Sequence, residues 1–140
     1  MLGTVIGDII GSVYEFKNHR SKDFLPLFHP QARFTDDTVC TVAIADALVR
    51  GTDPQATLIE WCRCYSENGG WGKRFAEWFM DDNPQPYGSW GNGAAMRISP
   101  VGLLATSEDE AISWADAATA ITHNHPEGIA SARAVALAIF

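Results

Sequence analysis

The sequence predicts an all-α fold, and three observations predict it. Five segments place apolar residues at helical spacing. None reads as a strand. Most of the five also carry a start or stop signal: a Thr, Asp or Ser cap, a proline in the first turn, or a glycine past the end. With 140 residues and 46% apolar content, the chain has material for one packed core and too little for two. Residues 1–140 are therefore expected to form a single domain.

The first helix is expected from about Leu2 to Phe16, with Val5, Ile9, Val13 and Phe16 on one face. Gly3, Gly7 and Gly11 recur at every fourth position. Glycine costs a helix up to about 1 kcal/mol relative to alanine. Three at one spacing predict a smooth stripe approached by another helix or by a ligand. Lys17 to Arg33 is a long polar loop broken by Pro26 and Pro30. The second helix is expected from Thr35 or Asp36 to Arg50, with Val39, Val42, Ala43, Ala47 and Leu48 as its apolar side and Gly51 as its stop. Asp53-Pro54 opens the third with an acidic cap and a proline at the first position. It carries Leu58, Trp61, Cys62 and Tyr65 and stops at Gly69-Gly70.

A short aromatic helix follows, from about Gly72 to Met80, then a loop from Asp81 to Gly93 rich in Pro, Gly and Asn. Ala94 to Ala105 is expected to be partly helical despite Pro100. Ser107-Glu108-Asp109-Glu110 supplies a cap and acids in a first turn, leading a helix through Ile112, Ala115, Ala118, Ala120 and Ile121. The last begins at Pro126 and carries Ile129, Ala132, Val135, Ala136 and Ile139. Its apolar pattern still runs at Phe140, which predicts an interrupted helical domain.

Net charge is −7, which argues against a basic nucleic-acid-binding surface. No apolar run approaches a membrane span, and the N-terminus lacks the basic-then-apolar pattern of a secretory signal. Three cysteines, with a single residue between Cys62 and Cys64, fit a reduced, cytoplasmic protein better than a zinc knuckle or a disulfide framework.

Three clusters carry candidate chemistry. Phe34-Thr35-Asp36-Asp37-Thr38 sets two adjacent carboxylates between hydroxyls at a helix head. They read either as a helix cap or as hard oxygen ligands for Mg²⁺, Ca²⁺ or Mn²⁺. Glu15, between Tyr14 and Phe16, is a third carboxylate near the end of the glycine-striped helix. In Tyr87-Gly88-Ser89-Trp90-Gly91-Asn92-Gly93-Ala94-Ala95-Met96-Arg97, three glycines in six residues either form an ordinary turn or aim backbone amides at phosphate or ribose oxygens. The stretch is not a P-loop. His123 and His125 stand two apart before a proline-started helix. They read as a cap and a surface histidine, or as hydrogen-bonding or proton-transfer groups.

These motifs, with Gly7-Asp8-Ile9-Ile10-Gly11-Ser12, Ser99-Pro100 and Ile121-Thr122-His123-Asn124-His125-Pro126, occur in an order that resembles the ADP-ribosylglycohydrolase family, over essentially the whole chain. The resemblance implies an all-α orthogonal bundle. It also implies a binuclear Mg²⁺ or Mn²⁺ site that hydrolyses the glycosidic bond between ADP-ribose and an acceptor. On that likeness Thr35, Asp36 and Asp37 are metal ligands, Glu15 and Asp37 are catalytic, and Asn92, Gly93, Met96, His123 and Gly128 bind the substrate. The family's second metal motif, an Asp-x-Asp followed by Thr or Ser near the C-terminus, has no counterpart after residue 126. The resemblance thus covers an N-terminal half, expected as a truncated or split enzyme whose last helix is covered by self-association or by a partner segment. Three carboxylates carry −3 against the +4 of two divalent ions, so one loosely held ion, no tighter than high micromolar, is expected. The alternative is a non-catalytic ADP-ribose-binding or protein-interaction module.

Overall fold

A computed structural model of the chain describes residues 1–17, 19–68 and 70–140. Helix α1 spans Leu2–Gly11, α2 Asp36–Arg50, α3 Pro54–Cys64, α4 Lys73–Met80, α5 Ser99–Leu104, α6 Glu108–Ala120 and α7 Pro126–Ile139. Among the described residues there is no strand, and the all-α fold stands. No described helix is long and apolar enough to cross a membrane.

The ends form where the sequence places caps. Thr35 caps α2, its hydroxyl accepting from Asp37 N at 3.3 Å, and Gly51 closes it in the left-handed region at φ 64°. Asp53 Oδ2 accepts from Ala56 N at 2.9 Å at the head of α3. Ser107 Oγ accepts from Glu110 N at 3.2 Å while Glu110 Oε2 reaches back to Thr106 N at 2.6 Å, a reciprocal cap for α6. His125 Nδ1 accepts from Glu127 N at 3.2 Å and caps α7. Of the alternatives left open for His125, the capping role is the one observed.

Helix α2 is buried on nearly every side because two hydrophobic clusters share it. Ile44 joins Ala94, Ile98, Val101, Ala111, Ala115, Ala118, Ala132 and Ala136 in one. Cys40 and Ala43 join Leu58, Cys62, Phe75, Trp78 and Phe79 in the other. The first is built mainly from alanine, so α5, α6 and α7 approach closely. At its tightest point a Cβ placed on Gly102 of α5 would stand 2.5 Å from Ala136 O and 2.7 Å from Ile139 Cβ of α7. The second cluster is aromatic, with Phe75 and Trp78 stacked at 5.6 Å.

Several expectations are corrected. Helix α1 ends at Gly11, with turns through Phe16, and Phe16 is 84% exposed. No other helix approaches the glycine stripe, since a Cβ on Gly3, Gly7 or Gly11 finds no atom within 4 Å among the described residues. The docking edge lies one residue along. Thr4 donates to Ser99 Oγ at 3.2 Å, Asp8 holds Thr35 and Thr38, and Ser12 Oγ accepts from Arg33 N at 3.1 Å. Positions 4, 8 and 12 share the period of the glycines, and polar bonds seat the helix with no buried residue of its own. The expected stop of α3 at Gly69-Gly70 also moves. The helix ends at Cys64 with a single 3₁₀ turn over Ser66–Asn68, and Gly69 lies outside the described residues. So does Asn18 of the expected 17–33 loop. Leu2, Leu103, Leu104, Leu137, Ile139 and Phe140 remain exposed on α1, α5 and the end of α7.

Candidate active site

The head of α2, the end of the α1 segment, the start of α4, the 87–97 loop and the α6–α7 turn converge on one cleft of about 800 Å³. It is lined by Glu15, Asp36 and Asp37 at its acidic end. Asn92, Gly93, Met96 and His123 line it elsewhere. Seven residues expected from sequence to act together are therefore gathered. Thr35 and Gly128 lie behind this lining. Thr35 is 4% exposed, and its hydroxyl is committed to Asp8 Oδ1 at 2.7 Å. A Cβ on Gly128 would stand 3.0 Å from both His123 O and Ser89 O, so Gly128 lets the α7 head press against the two loops.

The acidic end is organised by a residue that the sequence reading did not single out. The Asp8 carboxylate accepts from Thr35 N at 2.8 Å and Thr38 N at 3.3 Å, and from both threonine hydroxyls. An anion at a helix N-terminus is favoured by the free amides and by the dipole. Here that anion is Asp8, which leaves Asp36 and Asp37 turned to the cleft. Burial pushes the Asp36 carboxyl up to about 7, with Asp37, Glu15 and Asp8 adding repulsion against its backbone hydrogen bond. Asp37 is raised by burial and then by Asp8. A Cβ on Gly70, which has φ 86°, would stand 2.9 Å from Asp36 Oδ1, so the backbone at Gly70 lies close against this carboxylate.

Hard carboxylate oxygens on a solvent-filled cleft, one of them disfavoured as an anion, are the donors that a divalent cation relieves. Asp36 and Asp37 suit one such ion with water completing its shell. Among the described residues no three His, Cys, Asp or Glu side chains gather as a metal-holding group.

The part of the lining formed by the glycine loop is built on the α6–α7 turn. Thr122 O accepts from Tyr87 N at 3.4 Å and Ser89 N at 3.3 Å, and Asn124 Oδ1 accepts from Gly88 N at 2.7 Å. The glycine loop thus hangs from residues 122–124. His123 is 5% exposed, and a Cβ on Gly93 would stand 2.8 Å from its Cε1. Burial, then Arg97, lower the His123 imidazole to about 4, so it is neutral near pH 7. Arg97 is fully buried. Its Nη2 donates to Ala118 O at 2.9 Å and to Thr122 Oγ1 at 2.7 Å. The carbonyl end of α6 takes the place of a carboxylate partner.

Lys73, Arg74, Tyr87 and Trp90 also line the cleft, with Arg74 4.8 Å over the Tyr87 ring and Trp90 73% exposed. Sequence reasoning gave none of them a role of its own, nor Asp8 or Arg97, although Tyr87, Trp90, Asp8 and Arg97 stand inside its motifs. Two signals were available: a carboxylate after a glycine in Gly7-Asp8, and one arginine inside the apolar run Ala94-Ala95-Met96-Arg97-Ile98. Lys73 and Arg74 carried none.

Residues 1–140 match the family model for ADP-ribosylglycohydrolase. No curated protein and no solved structure matches. The family match spans the full chain, on a fold whose helix heads and glycine loop meet at one cleft, and the chain belongs to the ADP-ribosylglycohydrolase family.

Proposed function

We propose that the cleft binds an ADP-ribosyl group and that the chain hydrolyses its glycosidic bond to an acceptor. The observation that carries this reading is that Glu15, Asp36 and Asp37 line the same cleft as the glycine loop and His123. An oxygen-rich ligand with a diphosphate fits that lining. The amides around Asn92 and Gly93 face the diphosphate or ribose oxygens, Lys73 and Arg74 supply positive charge, and Trp90 offers an exposed face for a base.

At the acidic end Asp36 and Asp37 would hold a divalent cation, Mg²⁺ or Mn²⁺, which would supply polarisation of ribose hydroxyls and a lowered pKa for bound water. Glu15 orients water toward the anomeric carbon. As the bond from that carbon to the acceptor nitrogen or oxygen breaks, its electron pair leaves with the acceptor. The positive charge growing on the ribose lies beside three carboxylates, which stabilise it. A proton from the attacking water passes to Glu15 and from there to the departing acceptor.

The test is release of free ADP-ribose from an ADP-ribosyl-arginine substrate with Mg²⁺, against Asp37→Ala and Glu15→Gln. Turnover lost in both variants supports hydrolysis. No free ADP-ribose from the wild type refutes hydrolysis, and turnover that persists in Asp37→Ala refutes the role given to the acidic end. The small number of clustered donors favours a second reading, a module that binds ADP-ribose without cleaving it. Calorimetry that shows binding, with no product over hours, selects that reading.

A further inference from the structure

We propose that Arg97 is a positioning residue: through Thr122 it fixes His123 as the Nε2–H tautomer, so that the cleft presents a neutral N–H donor to an acceptor oxygen of the ligand. Arg97 Nη2 lies 2.7 Å from Thr122 Oγ1, and a guanidinium only donates. Thr122 Oγ1 lies 2.7 Å from His123 Nδ1. The Thr122 hydroxyl has one proton and is fully buried. If His123 Nδ1 carried a proton and donated, two donors would point at that oxygen and its own proton would have no acceptor among the described residues. A buried hydroxyl left so costs about 1–3 kcal/mol. With Nδ1 unprotonated, the Thr122 hydroxyl and Nδ1 are both satisfied: Arg97 donates to Thr122 and Thr122 donates to His123. The remaining proton is on Nε2.

That nitrogen faces the glycine loop. A Cβ on Gly93 would stand 2.9 Å from it and one on Gly91 3.9 Å, so the two glycines leave the room through which it meets a ligand. Arg97 stands in the wall of the cleft but has no exposed surface, so it acts through Thr122. Among the described residues its Nε and Nη1 have no hydrogen-bond partner, so the bonds to the end of α6 and to Thr122 are what hold it. The ligand contact rests on the ADP-ribosyl reading above. The tautomer does not.

The experiment is long-range ¹H–¹⁵N correlation on ring-labelled chain at pH 7, with the His123 signals assigned by their loss in His123→Asn. The expected result is a single Nε2–H pattern for His123 in the wild type and in Thr122→Ser. In Thr122→Val an Nδ1–H population appears. ADP-ribose binding, read by calorimetry, is expected to weaken about tenfold in Thr122→Val and to stay within about twofold in Thr122→Ser, the effect of one hydrogen bond. An Nδ1–H or mixed pattern in the wild type overturns the proposal. So does a Thr122→Val chain with unchanged tautomer. A wild type with the single tautomer that binds no ADP-ribose supports the relay and sinks the ligand reading alone.

Discussion

Gly91 and Gly93 stand two residues apart in one loop, and the structure predicts opposite tolerance to a methyl group. A Cβ at Gly93 falls 2.8 Å from His123 Cε1 and 2.9 Å from Nε2. Carbon atoms rest comfortably at about 3.5–4.0 Å, so the ring must move by roughly 0.7 Å or more. The ring is tied at 2.7 Å to Thr122 Oγ1, and a shift of that size away from the hydroxyl stretches the bond to roughly 3.4 Å, where hydrogen bonding is weak. Loss of the bond, with two buried groups left unpaired, costs about 2 kcal/mol. For a chain of this size that lowers Tm by about 6 °C. At Gly91 the nearest atoms are 3.6 and 3.9 Å away and φ is −71°, so alanine fits and restricts the unfolded chain. Gly91→Ala is expected within about 1 °C of wild type. Calorimetric unfolding of both variants is the assay. Equal Tm values, or the larger loss at Gly91, would refute the claim that the His123 ring is held against Gly93.

Gly102→Ala meets backbone, with Ala136 O at 2.5 Å, and is expected to cost about 1–3 kcal/mol as α5 is forced from α7; an unchanged urea midpoint would contradict that contact. His123 is faced by Arg97, Thr122 and the Tyr87 ring, and its depressed value of about 4 lies below the 6.5 of an unfolded histidine. Its contribution is complete above pH 6.5 and is lost as pH falls toward 4, by about 1–2 kcal/mol after allowance for solvent at the cleft. The difference in stability between His123→Asn and wild type should therefore change across that window and stay flat from pH 7 to 8. Asp36 has the opposite sign: its carboxyl, raised to about 7, destabilises the fold as pH rises from about 4 through 7. Asp36→Asn is expected to raise stability by about 1–2 kcal/mol at pH 8 without divalent ions and to leave it unchanged at pH 3.5. A loss at pH 8 would argue against a strained acidic end.

Helix ends were legible because their signals are local. Thr35, Asp53, Ser107 and Gly51 each act within a turn of their own position, and each did what its type predicts. The acidic pair, Glu15, Asn92, Gly93, Met96 and His123 were legible as a group through the order of motifs, and the cleft gathers them. What was missed depends on partners far along the chain. Asp8 looked like one more position on a glycine-rich helix, yet its bonds go to residues 27 and 30 places away. Arg97 is buried only because the end of α6 supplies carbonyls. The apolar face drawn through Val5, Ile9, Val13 and Phe16 is partly buried at its first three positions and fails at Phe16, where the helix has already ended.

The seating of α1 has a dynamic consequence. A helix with no buried residue, joined by hydrogen bonds at positions 4, 8 and 12, can detach with little loss of apolar contact, while α2 opens only when both clusters do. Amide exchange should therefore divide the acidic end in two: slow, globally limited exchange for the interior of α2, and fast, sub-global exchange for α1. Glu15 follows α1 in the chain and would leave with it. The cleft would then lose one carboxylate and the Asp8 brace while keeping Asp36 and Asp37, which gives it a second form reached without unfolding.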